Sequence, residues 1–221
     1  MRKAIADLLG GKHMSLRRTF LVLILALTAL MFSNVAFAKS ETLTYVGQYQ
    51  GAYYFSINGS STYTTLMCDS FDNNIYRTET WTVTVSPLLQ GIANSMFGPS
   101  MTLDYKAAGL IYKSMLAGNL TRLQAQWAVW GLFSTNAQQN QLFAQYGGAA
   151  TDATYLSLAQ TDPNSAYAGL LLYTPLGAKP GVGPQEFIGY SSPVPEPGSL
   201  TLFGTGLLSL AGVVRRKFAK A

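Results

Sequence analysis

A cysteine without a partner and a glutamine set among tryptophans are the two residues here whose chemistry could be joined. Cys68 is the only cysteine of the 221 residues, so no intramolecular disulfide can form. A lone thiol is either a small buried apolar side chain or a nucleophile. Gln126 lies in Gln126-Trp127-Ala128-Val129-Trp130, where helical spacing puts its amide one turn from Trp130, at the edge of an aromatic face. A Cys68 thiolate attacking the Gln126 carboxamide would expel ammonia and leave an internal thioester, an acyl donor kept from water by Trp127 and Trp130. An arriving amine or hydroxyl would then become covalently attached. The plainer alternative is a structural cysteine and a hydrogen-bonded glutamine.

Other chemistries are scarce. The only histidine is His13, in an N-terminal segment that reads as a removable leader, so a Ser-His-Asp triad, a Cys-His dyad and histidine-bound zinc are not expected in the mature domain. No Gly-rich phosphate loop is present, and no cofactor or metal site is expected. Asp69, Asp72 and Glu79 could in principle serve as acid and base in a polysaccharide hydrolase, with aromatic side chains to stack on sugars. Asp69 and Asp72, with Asn73 and Asn74 beside them, read better as a turn than as a calcium loop. The chain is therefore expected not to be an enzyme.

The elements that must position Cys68 and Gln126 follow from periodicity. From Glu41 to Val85 the chain alternates and is rich in Thr, Tyr, Phe, Val and Trp, which predicts antiparallel strands, with a tight hairpin at Asn58-Gly59 and a turn at Asp72-Asn73-Asn74. From Pro87 the period becomes helical. Thr102 is placed to cap a first helix carrying Ala107, Ala108, Ile111 and Met115, with Gly118 ending it. Thr121 to Gln124 has capping-box spacing, opening a helix that carries Leu123, Trp127 and Trp130. A third helix is expected after Asn136, with Leu142, Phe143 and Tyr146, and a fourth around Ala153 to Gln160. Runs at 169–173 and 185–190 return as strands. The fold class is α+β: strands, central helices and a short β return.

Both ends read as addresses. Arg17-Arg18, the apolar run Phe20 to Phe32 and Ala36-Phe37-Ala38 form a signal peptide over residues 1–38, cleaved after Ala38 by signal peptidase, with residues 1–13 fitting a mis-called start. At the other end, Pro195-Glu196-Pro197 breaks any helix. An uncharged stretch over 199–214 follows, then a basic tail, 215–221, opening with Arg215, Arg216 and Lys217. That order predicts a short membrane helix with its basic end held in the cytoplasm and the domain, 39–192, outside. The basic residues concentrate in these addresses. Lys39 to Glu196 carries six basic and nine acidic side chains, a net charge of −3, so the basic isoelectric point of the whole chain gives no reason to expect nucleic acid as a partner.

The C-terminal region 193–221 resembles the PEP-CTERM sorting signal. That resemblance implies recognition by an exosortase-type enzyme, a transient inner-membrane anchor, delivery to the cell envelope or beyond, and a Gram-negative bacterium with an exopolysaccharide system. The middle of the chain is similar to the bacterial surface thioester domains, which carry an early-strand cysteine and a helical Thr-Gln-x-Ala-Ile-Trp motif. Gln126, Ala128, Val129 and Trp130 fit the second motif and Cys68 precedes it, while Ala125, Met67 and the immediate Asp69 depart from the family pattern. It implies a covalent adhesion module whose ligand is an amine- or hydroxyl-bearing surface group or an exopolysaccharide. A polysaccharide hydrolase and a purely structural matrix component are the alternative readings.

Overall fold

A computed structural model of the chain describes residues 38–191. Residues 1–37 of the predicted signal peptide, and Pro195-Glu196-Pro197 with the helix predicted over 199–214 and the basic tail, therefore lie outside the described residues. Among the described residues no helix is long and apolar enough to cross a membrane. The first strand begins at Lys39, immediately after the predicted cleavage position.

Six antiparallel strands, β1 (Lys39–Tyr49), β2 (Ala52–Ile57), β3 (Tyr63–Cys68), β4 (Thr80–Pro87), β5 (Leu170–Pro175) and β6 (Phe187–Tyr190), close into a barrel in the order β1-β2-β3-β6-β5-β4. The β return thus completes the sheet by inserting between β3 and β4. Asn58 and Gly59 both take positive φ, 51° and 74°, the geometry that a tight hairpin requires. Six helices occupy the crossover from β4 to β5: α1 (Leu88–Gly91), α2 (Thr102–Leu116), α3 (Arg122–Phe133), α4 (Thr135–Gln139), α5 (Gln141–Gln145) and α6 (Gly148–Thr161). The α+β expectation is consistent with this order.

Local signals account for most helix boundaries. At α3 the Thr121 hydroxyl accepts from Gln124 N while the Gln124 side chain accepts from Thr121 N, a complete capping box. The expected cap at Thr102 is corrected. A 3-10 turn, Pro99–Met101, precedes it, so its backbone is already helical and its hydroxyl donates to Pro99 O at 2.6 Å. The expected third helix is two, because Asn140 is extended and its side chain caps a new start at Leu142 N. The fourth begins at Gly148, ahead of the predicted Ala153.

Alternation along the strands divides the interior into two cores. Leu43, Phe55, Leu66, Cys68, Val83, Tyr173 and Phe187 form one core with Trp127, Trp130 and Phe143 packed onto it from the helices. Met67, Leu170, Leu172 and Ile188 point the other way, onto Tyr105, Ile111, Ala125, Ala128 and Val129. This is why β3, β5 and β6 are buried on both faces, whereas a solvated antiparallel strand would be buried on one. Helix α3 serves both cores, with alanines on one side and tryptophans on the other.

Helix α6 packs over α3 at Gly131. A methyl group there would stand 2.2 Å from Phe143 Cε2 and 2.8 Å from Asp152 Oδ2, so Gly131→Ala is expected to destabilise the domain by about 1–3 kcal/mol, read as a lower urea midpoint. Asp152 is buried with Oδ1 unpaired and lines a cavity of about 390 Å³ with Asp104, Leu132, Phe143 and Leu156. Burial, and then the nearby Asp104 charge, push its carboxyl up to about 7 from 3.8. Over the interval from about pH 4 to about pH 7 the folded form therefore holds a proton that the unfolded form has lost, and stability falls as pH rises. Asp152→Asn is expected to gain stability over the parent on going from pH 5 to pH 8. Thermal melts of both proteins across that range check this.

Candidate functional site

β3 ends at Cys68, with Cys68 paired opposite Phe187 of β6. Both are fully buried. Helix α3 crosses this strand end and presents Gln126, also fully buried, to the same residue. The Cys68 N–H donates to Gln126 Oε1 at 3.2 Å, and Gln126 Nε2 donates to Cys68 O at 2.6 Å. The side-chain amide thus acts as one more strand-like partner for the end of β3, beyond the last β2–β3 pair at Tyr53–Leu66. Residues 58 positions apart in the chain meet through two hydrogen bonds, and the carboxamide carbon, bonded to both atoms, lies against the residue that carries the sulfur.

Aromatic groups close the site. Trp127 and Trp130 sit edge to face at 5.0 Å, and Phe71, three residues past the cysteine, packs on both, at 5.7 and 5.1 Å. Burial pushes the Cys68 thiol up to about 12, the electrostatics of the adjoining Asp69 carboxyl add to the rise, and the Trp130 side chain and Ser70 offset part of it. At neutral pH the cysteine is a protonated thiol. The Cys68 N–H already bonded to Oε1 is placed where negative charge would develop on that oxygen if sulfur attacked the carboxamide, a donor fixed before the reaction.

The acids of the hydrolase alternative find separate partners. Asp69 is fully buried beside Glu186. Asp72 is exposed and accepts from Asn136 Nδ2 at 2.8 Å, and Glu79 Oε2 accepts from Tyr76 N at 2.8 Å. The turn lies earlier than expected, centred on Phe71 and Asp72 and closed by Asn73 N donating to Ser70 O at 3.2 Å, and the Asn73 amide is clasped by the loop before β6, donating to Lys179 O and Gly183 O and accepting from Gly181 N. Glu186, Ser70, Tyr105 and Thr174, which surround Asp69, escaped sequence reasoning. The one available signal was a charged residue, Glu186, set directly before the apolar run Phe187-Ile188. Among the described residues no group of three His, Cys, Asp or Glu side chains could hold a metal ion.

Comparison with known proteins places the tail and leaves the domain alone. Residues 193–217 match the PEP-CTERM protein-sorting motif. No curated protein and no solved structure matches the chain. The chain is thus an exported protein sorted by an exosortase-type enzyme, with transient membrane anchoring on the way to the cell envelope or extracellular space.

Truncating Gln126 would strip Cys68 of both backbone partners and leave a cavity between strand and helix. Gln126→Ala is therefore expected to cost about 2–4 kcal/mol, measured by urea unfolding.

Proposed function

We propose that the exported domain is a covalent attachment module in which Cys68 and Gln126 form an internal thioester. The observation that carries this reading is the two-point clasp of the Gln126 carboxamide on the Cys68 backbone, inside a tryptophan-lined and water-excluding site. The bond forms between Cys68 Sγ and Gln126 Cδ, the C–N bond breaks, and the thiol proton leaves with nitrogen as ammonia. The product is an acyl donor that reacts once, with an amine or hydroxyl on a surface or matrix partner, and does not turn over. Trp127 and Trp130 keep it from hydrolysis until a nucleophile enters. The sorting tail supports the same reading, because it delivers the domain to the compartment where such partners are found.

A second reading has the same geometry in its favour: the clasp holds α3 against β3 whether or not the bond forms, as in a purely structural matrix component. Intact mass spectrometry of the exported protein separates them. The thioester predicts a mass lower by one ammonia, a deficit that Cys68→Ala abolishes and that added methylamine replaces with the mass of that amine. A full, unmodified mass sinks the thioester and leaves the structural strap.

A further inference from the structure

Immediately past Cys68 the chain buries two carboxyl groups against each other. Asp69 N donates to Glu186 O at 3.3 Å and Glu186 N donates to Ser70 Oγ at 2.8 Å, continuing the Cys68–Phe187 register by one step. Both acids are completely buried. Two carboxylates that close in a dry interior cannot both ionise, and the donors show which one keeps its charge. Glu186 Oε1 accepts from the Tyr105 hydroxyl, and Oε2 accepts from Thr174 Oγ1 at 2.5 Å and Met96 N at 3.0 Å. Neither Asp69 oxygen makes a well-formed hydrogen bond. Glu186 is therefore the carboxylate and Asp69 the neutral acid, held so by burial and by the Glu186 charge.

One proton on two carboxyls can be given up or joined by another. The Ser70 hydroxyl lies 3.9 Å from Cys68 Sγ, and since its oxygen accepts from Glu186 N, its own proton is free to turn toward Asp69 or toward the sulfur. We propose that Asp69, backed by Glu186, carries protons for the reaction between Cys68 and Gln126, taking the thiol proton by way of Ser70 and returning one to the departing nitrogen. This rests on the thioester reading.

Charge and atoms balance at each stage. Before reaction the pair carries one negative charge and the thiol none. Asp69 passes its own proton to Glu186 and takes the thiol proton through Ser70, so the pair becomes neutral and the charge passes to sulfur. Sulfur attacks Gln126 Cδ, the charge moves to Oε1 against the Cys68 N–H, and collapse breaks the C–N bond while nitrogen takes a proton from the pair. Ammonia leaves, the S–C bond remains, and Glu186 is again a carboxylate. Without the pair, a thiol held near 12 would offer very little thiolate at neutral pH.

The test follows ammonia loss by intact mass over time in the full chain made by cell-free translation, comparing the parent with Asp69→Asn and Ser70→Ala. The amide introduced by Asp69→Asn keeps the shape of the acid and, like the neutral acid, puts no second negative charge beside Glu186, so folding is checked by an unchanged or raised melting temperature. The expected result is closure slowed by about a hundredfold in Asp69→Asn, with a rate that rises with pH where the parent's is flat between pH 6 and 8. Ser70→Ala slows closure too while keeping both acids. Infrared spectra of the parent at pH 9, where Asp152 has ionised, should show a protonated-carboxyl stretch that Asp69→Asn abolishes. Closure of folded Asp69→Asn at the parental rate, or a parent without that stretch, overturns the proposal and leaves the thioester standing. A parent that never loses ammonia overturns both.

Discussion

Two hydrogen bonds between the Gln126 carboxamide and the Cys68 backbone hold the molecule's two cores in register. On one side of that clasp Phe55, Phe187 and the two α3 tryptophans belong to one core, and on the other Ala125, Ala128 and Val129 pack on the outer face of β3, β5 and β6. A slip of α3 by one residue would carry an alanine or a tryptophan to the strand end and leave the Cys68 N–H and carbonyl without partners in a place water does not reach. Orphaned buried polar groups are costly, whereas apolar packing tolerates small shifts. The polar clasp therefore fixes position where the hydrophobic contacts fix only proximity. Whatever the thiol does, the carboxamide is held against the Cys68 backbone by this constraint.

The same site concentrates the domain's unusual electrostatics. Lys39 to Glu196 has few charged groups, yet Asp69 and Glu186 are both buried without a basic partner and Asp152 is buried near Asp104. Tyr105, Thr174 and the Met96 N–H satisfy Glu186, while burial and the neighbouring Glu186 push the Asp69 carboxyl well above its usual range. An arrangement of this kind contributes little to stability, because an apolar pair of similar volume would avoid the desolvation cost. Buried acids retained at such a cost, one residue from an unpaired thiol, point toward chemistry rather than packing.

What was legible in the sequence was local. The Thr121–Gln124 capping box and the Asn58-Gly59 hairpin each depend on residues a few positions apart, and both formed as expected. Asn140 broke the third helix because its side chain competes for a cap, a local signal that the apolar spacing of Leu142 and Phe143 outweighed. Barrel closure was not legible, since nothing in the spacing of 169–173 and 185–190 says that they insert between β3 and β4. Glu186 was missed for the same reason: its meaning depends on register with Asp69, a partner 117 residues earlier in the chain. Gln126 was legible as an anomaly, a polar residue on an aromatic helix face, although its partner is a backbone rather than a side chain.

The separation between tail and domain also has a physical reading. The PEP-CTERM match ends at residue 217 and begins at 193, just past the last described residue, so the address and the site share no residues. A sorting signal must be read as an extended, accessible segment by its enzyme, while an acyl bond survives only where water is excluded. One segment could not meet both demands. Cys68 and Gln126 lie at the join between a barrel and a helical layer, beside the packed rings of Trp127, Trp130 and Phe71. Under the thioester proposal, a nucleophile from the surroundings would reach the carboxamide carbon only by displacing aromatic packing, so access to the site, rather than intrinsic reactivity of the bond, would govern when attachment occurs.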